Sequence, residues 1–162
     1  MTPDPGLFEP ALPEGFQYRD GFLTSAEEDA LTAEIRRLEF SAFEMRGVVA
    51  RRRVAFFGRS YERTQLSPPL PAFLLPVRDL VAAWAEVPAS AFEMALINEY
   101  REAAPIGWHR DAPQYDIVAG VSLLATARMK LRPYVSPKDV GKLPGPRKTT
   151  HEIELRPRSA YL

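Results

Sequence analysis

The chain from Phe92 onward is divided into short apolar segments separated by turn residues, and this pattern restricts the possible folds most. Segments typical of strands run over 92–98, 117–124, 128–132 and 152–155. Apolar and polar residues alternate clearly in the last two, at Met129 and Leu131 and at Ile153 and Leu155, as in strands with one buried face. Because two helical segments precede them, the sequence predicts an α+β protein built on an antiparallel barrel or jelly roll.

The two helical segments are indicated by apolar residues at helical spacing. Ser25 and Glu28 have the spacing of a capping box at the start of the first helix, which continues for about four turns. The second helix begins near Pro76 and ends before Pro88. The apolar stripes consist of Leu31, Ile35 and Leu38 and of Val77, Leu80, Val81 and Trp84. We expect the first helix to cover a sheet and Trp84 to pack in the core.

Length and composition fit one globular domain. A chain of 162 residues with a hydrophobic fraction of 46% can bury one core but not two. We expect a single domain over 1–162, in which residues 1–13 form an extended arm containing four prolines. The sequence has no cysteine, no leader-like segment at Met1–Pro13 and no apolar run long enough to span a bilayer. These features exclude disulfides and thiolate metal sites, and we expect a cytoplasmic protein with no membrane partner.

Charge is unevenly distributed although the net charge is +0. Residues 1–39 hold nine acidic and three basic residues, whereas 46–63 hold six arginines and one acid, and 128–158 hold nine basic and three acidic residues. The basic segments favour a face for an anionic partner, with arginines binding phosphate and aromatic residues stacking on bases. The alternative is a solvated hairpin in which one or two arginines pair with acids. The long loop 133–150 is either a basic lid or surface disorder.

His109 and Asp111 form the motif with the most specific chemistry. In an extended segment, residues i and i+2 point to the same side, so one imidazole and one carboxylate can reach a single ion. They supply two of the three ligands of the 2-His-1-carboxylate triad that holds Fe(II) in oxygenases. The alternative is a chance pair in a loop, because so short a motif has a high false-positive rate.

The surrounding sequence resembles the AlkB-like family of Fe(II)/2-oxoglutarate-dependent dioxygenases. Asn98-x-Tyr100 closes an apolar run, and Ile106-Gly107-Trp108-His109-x-Asp111 follows. The upstream segment 52–61 resembles the substrate-side segment of that family, and segments 121–124 and 129–132 resemble its next strands. The resemblance implies a double-stranded β-helix, a jelly-roll or cupin-like core, with two covering helices.

The resemblance also implies roles for individual residues. His109 and Asp111 would bind Fe(II) and form the catalytic centre with O2. Asn98 and Tyr100 would hydrogen-bond the cosubstrate 2-oxoglutarate, and the pocket would be lined by Leu96 and Ile106. Arg53 and Tyr61 are then the candidate substrate contacts. The implied activity is oxidative demethylation of N-alkylated nucleobases in single-stranded DNA or RNA, a DNA-repair reaction. Catalytically impaired binding modules and protein or small-molecule hydroxylases are the alternatives.

Two features of the sequence depart from the family pattern. The family's distal histidine, and an arginine that binds 2-oxoglutarate, come after the Glu-Ile-x-Leu strand and the strand that follows it. His151 lies before that strand, so we expect a C-terminally incomplete chain that lacks the last strands, with an exposed sheet edge that favours self-association. Such a chain would bind Fe(II) weakly and turn over little or no 2-oxoglutarate. The alternative is that His151, the only other histidine, or a residue of a second copy completes the triad. Alanines Ala103 and Ala104 stand where the family commonly has glycine, so the turn there is expected to avoid positive φ.

Overall fold

The structure is a computed structural model that describes residues 12–45, 48–59, 67–111, 115–134 and 151–162. The elements in chain order are β1 (Tyr18–Arg19), α1 (Ser25–Ile35), β2 (Ser41–Met45), β3 (Val48–Gly58), α2 (Leu75–Trp84), β4 (Met94–Tyr100), β5 (Gly120–Val121), β6 (Ala127–Leu131), β7 (His151–Leu155) and β8 (Ala160–Tyr161). Contacts divide the chain into two compact units, one of residues 1–28 and 110–162 and the other of residues 29–109. Within the described ranges, no helix is both long and apolar enough to cross a membrane.

The unit of residues 29–109 is organised around a three-stranded antiparallel sheet in the order β2-β3-β4. Ala55 is buried in the centre of β3, and Val81 and Ala82 are buried on α2. Gly58 ends β3 with a φ of +85°, and a Cβ at this position would collide with the carbonyl oxygen of Glu93. Glycine is therefore required where β3 leaves the sheet, because both the backbone angle and the close approach exclude a side chain.

The second unit contains two smaller antiparallel sheets, β1-β8-β5 and β6-β7. The carboxylate of Glu28 is largely buried and accepts hydrogen bonds from the Leu124 backbone N–H at 2.7 Å and from the Arg158 guanidinium at 3.2 Å. Leu124 and Arg158 both have positive φ, +67° and +64°. Glu28 therefore stabilises two backbone conformations that are costly for residues with a Cβ.

The capping box of α1 lies one residue earlier than the sequence pattern indicated. The Glu27 carboxylate accepts from the Thr24 N–H and hydroxyl, each at 2.7 Å, and the Glu27 N–H donates to Thr24 Oγ1 at 3.2 Å. These hydrogen bonds lower the pKa of Glu27, chiefly the one from the Thr24 backbone. The prediction of Ser25 and Glu28 was wrong because both pairs have the same spacing, and Glu28 is engaged with Leu124 and Arg158 instead.

The helices are otherwise close to their predicted positions. α1 ends at Ile35, so it is shorter than the predicted four turns, and α2 begins at Leu75 with a proline in its first turn. Trp84 is half-buried rather than part of the buried core that its position predicted, and Leu80 on the predicted stripe is 40% exposed.

Strands were predicted better in type than in extent. β4, β6 and β7 overlap three of the predicted strands, but only Gly120 and Val121 form a strand within the predicted 117–124. Beyond Val121 the backbone bonds to the 156–159 turn, where Ser122 N–H donates to Ser159 O, and Leu124 then adopts positive φ. The antiparallel sheets with two helices agree with a 2-oxoglutarate oxygenase fold, whereas the jelly roll and the single domain remain predictions. Most of the predicted arm and of the 133–150 loop lies outside the described residues.

Candidate active site

Antiparallel pairing of β3 with β4 brings three of the predicted cosubstrate contacts onto one face of the sheet. The opposed pairs on this face are Arg52 and Tyr100, Val54 and Asn98, and Phe56 and Leu96. Directly opposed residues share a face, and residues two apart along a strand return to it. Leu96, Asn98 and Tyr100 therefore form one row, in which Leu96 and Tyr100 are exposed and Asn98 is half-buried.

The chain turns after β4, before the fourth predicted contact, Ile106, which is exposed. Ala103 has a φ of +55°, and the Ala104 N–H donates to the Arg101 carbonyl at 3.0 Å. The prediction that the alanines would avoid positive φ was therefore wrong. The hydrogen-bonded turn imposes a left-handed conformation at Ala103, and the chain accepts the steric cost of its Cβ.

His109 is held in a definite tautomer by its own segment. Its Nδ1 lies 2.9 Å from the Gly107 carbonyl oxygen. A carbonyl can only accept, so Nδ1 carries a proton, and in the neutral form of the ring the lone pair lies on Nε2. Histidines that bind metals commonly donate the other ring N–H to a carbonyl in this way. His109 is thus suited to bind a metal through Nε2.

Asp111 supplies a carboxylate, the second donor type that Fe(II) oxygenases use. His109 is the last residue of the 29–109 unit, and Asp111 belongs to the unit of residues 1–28 and 110–162. Both side chains are exposed. His151 is half-buried in β7, opposite Leu131 of β6. Among the described residues, no group of three His, Cys, Asp or Glu side chains could hold a metal ion, so the motif fits Fe(II) in donor type but supplies two ligands.

Arg53, a predicted substrate contact, lies on the opposite face of the sheet from Asn98. It is directly opposite Glu99 and forms an ion pair with it, with Nη2 2.5 Å from Oε2, and its guanidinium lies over the Phe40 ring at 5.5 Å. Arg59 pairs in the same way with Glu93 at 3.1 Å. Glu99 in β4 and Glu93 just before it therefore neutralise two arginines of the basic segment 46–63. The other predicted substrate contact, Tyr61, lies outside the described residues.

An arginine–aromatic pair that was not predicted from the sequence includes Arg110, the residue between His109 and Asp111. The Arg110 guanidinium lies over the Tyr134 ring, 4.7 Å from its centroid, and both residues belong to the same unit. Tyr134 is 63% exposed. No periodicity signals this contact, because 23 positions separate the residues and neither lies in a regular element. Their exposed π-faces can stack on a planar ligand.

The chain matches the family model of the 2OG-Fe(II) oxygenase superfamily over residues 16–162. Since the match covers nearly the whole chain, the protein belongs to this superfamily. Its members generally use Fe(II), 2-oxoglutarate and O2, so the match supports a dioxygenase-type function and an oxidoreductase class of enzyme. No curated protein matches the chain significantly.

Proposed function

We propose that the protein is an AlkB-like dioxygenase that removes methyl groups from N-alkylated bases in single-stranded DNA or RNA. His109 and Asp111 would hold Fe(II), and 2-oxoglutarate would bind beside Leu96, Asn98, Tyr100 and Ile106. The observation that supports the proposal is the His109 Nδ1–H bond to the Gly107 carbonyl, an orientation in which Nε2 would be the metal-binding atom in a chain of this superfamily.

The iron and the cosubstrate, when bound, supply the oxidation. One atom of O2 enters the N-methyl group, and 2-oxoglutarate takes the other as it becomes succinate and CO2. Formaldehyde would then leave the cationic N-hydroxymethyl product as its hydroxyl proton is released, which restores the unsubstituted ring nitrogen of the base. The protein's own residues bind, orient and shield the reactants. The apolar side chains of Leu96 and Ile106 would exclude water, while Asn98 and Tyr100 would orient the cosubstrate through hydrogen bonds.

Exposed aromatic residues support a nucleobase as the substrate. Trp108 precedes His109 in the chain and is 52% exposed, and the Arg110–Tyr134 pair offers a second planar surface. A base must leave the helical stack to react, and aromatic and guanidinium faces compensate for the lost stacking. Arg53 and Tyr61 remain candidate contacts with the phosphates and bases of the strand, although Arg53 would first have to be released from Glu99.

A protein or small-molecule hydroxylase is the second candidate function. It is favoured by the pairing of Arg53 with Glu99 and of Arg59 with Glu93. These ion pairs reduce the positive charge that a polyanionic strand would meet, so the affinity for nucleic acid would depend less on this segment.

A single-turnover assay distinguishes the two functions. The protein, in excess, is incubated with Fe(II), ascorbate, 2-oxoglutarate and a single-stranded oligonucleotide containing 1-methyladenine or 3-methylcytosine. Because two protein ligands hold Fe(II) weakly, we expect the oligonucleotide to lose its methyl group slowly and only at saturating Fe(II), with one formaldehyde and one succinate per event, and we expect no loss with His109→Ala. Succinate formed without demethylation would favour the hydroxylase. Unchanged oligonucleotide and unchanged 2-oxoglutarate would contradict both functions and favour a binding module.

A further inference from the structure

We propose that Arg110 and Tyr134 together bind the nucleotide next to the target base, and so help to determine which strands the enzyme accepts. The inference rests on the proposed function and deepens it, because it assigns a second subsite to the same substrate. Three features support it: the stacked geometry of the pair, the charge of Arg110, and the position of Arg110 beside Asp111.

The pair presents a flat aromatic surface to solvent. The guanidinium carbon of Arg110 lies 4.7 Å from the centroid of the Tyr134 ring, within the range of cation–π attraction. The guanidinium covers one face of the ring, and yet Tyr134 remains 63% exposed. Much of the ring is therefore open to a planar ligand. Because the contact with Arg110 already orients the ring, a nucleobase can stack on it at a small cost in side-chain entropy.

The contact that orients Arg110 leaves its positive charge intact. Arg53 and Arg59 form ion pairs with carboxylates, whereas the partner of Arg110 in the described part of the chain is the ring of Tyr134. Stacking uses the flat face of the guanidinium and leaves the N–H donors at its edge to bind a phosphate. The pair therefore offers a stacking surface for a base and a bidentate donor for the phosphate beside it, which are the two parts of one nucleotide.

The position of Arg110 in the chain separates this surface from the target base. Residues 109–111 form no helix or turn. On the proposed function His109 and Asp111 reach one ion, so they point to one side of the segment and the side chain between them points to the other side. The methyl group that reacts must lie at the iron. Arg110 and Tyr134 therefore bind another nucleotide, and the nucleotide beside the target is the one that the strand brings near.

The neighbouring base has a physical reason to stack on Tyr134. When the target base leaves the stack, the base beside it loses one of its own stacking partners. Tyr134 can replace that partner without reading the identity of the base, because every base has a π-face. We therefore expect binding to require a base beside the target but to depend little on which base it is.

The experiment compares two oligonucleotides that differ only in the bases beside the target. Both are fluorescently labelled single-stranded pentanucleotides with a central 1-methyladenine, which is flanked in one by thymines and in the other by abasic residues. Their affinities for the full chain with Mn(II) and 2-oxoglutarate are measured by fluorescence anisotropy at several salt concentrations. The variants are Tyr134→Ala, Tyr134→Phe and Arg110→Gln. Arg36→Gln is the matched control, because it removes the same charge at an exposed position of the other unit. Thermal unfolding shows whether each variant retains the fold.

We expect Tyr134→Ala to weaken binding of the thymine-flanked oligonucleotide by about fivefold to a hundredfold, the usual effect of losing one base–aromatic stack. Binding of the abasic oligonucleotide should change by less than about twofold, because it has no base to stack there. Tyr134→Phe should keep most of the affinity, since it keeps the ring. Arg110→Gln should weaken both oligonucleotides, which share their phosphates, and should lower the salt dependence by about one ion. Arg36→Gln should not lower the salt dependence.

Three results would overturn the inference. Equal weakening of both oligonucleotides by Tyr134→Ala would show that Tyr134 supports the fold or contacts the target base itself. Unchanged binding in Tyr134→Ala, or an effect of Arg110→Gln that Arg36→Gln reproduces, would also overturn it. In each case a preference of the unaltered chain for 1-methyladenine over adenine at the centre would leave the proposed function standing. If the unaltered chain bound neither oligonucleotide, the proposed function would fail along with this inference.

Discussion

Ala103 is an alanine in a conformation that glycine adopts more easily, with a φ of +55°. A left-handed backbone costs a residue with a Cβ roughly 1–2 kcal/mol, and replacement by glycine removes this cost. The greater conformational freedom of glycine in the unfolded chain offsets part of the resulting stabilisation. We therefore expect Ala103→Gly to stabilise the protein by about 1 kcal/mol. The measurement is urea unfolding at constant m-value. Ala104→Gly is the control and should destabilise, because Ala104 is not among the residues with positive φ. A destabilised Ala103→Gly would mean that the turn adopts another conformation.

Individual residues also show what the sequence could not predict. The motif His109-x-Asp111 and the row of Leu96, Asn98 and Tyr100 could be proposed from local pattern and resemblance. The faces on which Arg52 and Arg53 lie could not be predicted, because they depend on the register between β3 and β4, in which Arg52 pairs with Tyr100 and Arg53 with Glu99. Shifting the register by one residue would exchange the faces of the two arginines.

At the scale of elements, the start of α1 offers the most direct test, because two overlapping capping boxes fit the sequence. Thr24→Ala should destabilise the protein by about 1 kcal/mol, whereas Ser25→Ala should have little effect. Equal effects, or a larger effect at Ser25, would contradict the hydrogen bonds of Thr24 with Glu27. Chemical denaturation of the two variants provides the comparison.

The same cap predicts a dependence on pH. Its hydrogen bonds lower the pKa of Glu27 in the folded protein, so ionised Glu27 stabilises the fold above its ordinary pKa. That contribution is lost as the pH falls through the lowered folded-state pKa. The unfolding free energy of Glu27→Gln should therefore lie below that of the unaltered protein at neutral pH, and the difference should shrink on acidification. A difference independent of pH would contradict this role.

Elements were predictable where residues alternate over a whole strand, as in β6 and β7. The predicted strand 117–124 was too long because the backbone after Val121 bonds to the 156–159 turn, and Glu28, far away in sequence, bonds the backbone of Leu124, which has positive φ. Local propensity contains no information on such a contact. The same contact explains why Glu28 is not the capping acid that its spacing indicated.

At the scale of the whole molecule, the family match supports an oxygenase, whereas the charge distribution gives less support to an anionic substrate than the sequence indicated. The match over residues 16–162 establishes the superfamily. The basic segments carry less unneutralised positive charge than their composition indicates. Arg53, Arg59, Arg128, Lys130 and Arg156 all form ion pairs with acids. Composition therefore predicted where the basic residues are, but not which of them are available to an anion.

The central claim, that His109 and Asp111 form the metal-binding motif of an oxygenase, is tested most directly by calorimetric titration with Mn(II), an oxygen-inert substitute for Fe(II). We expect weak binding of one ion per chain, because two protein ligands leave much of the coordination to water. His109→Ala and Asp111→Ala should each abolish the binding, while His151→Ala, which alters a half-buried residue of β7, should leave it unchanged. Binding that His151→Ala abolishes, or that survives the loss of both His109 and Asp111, would contradict the claim.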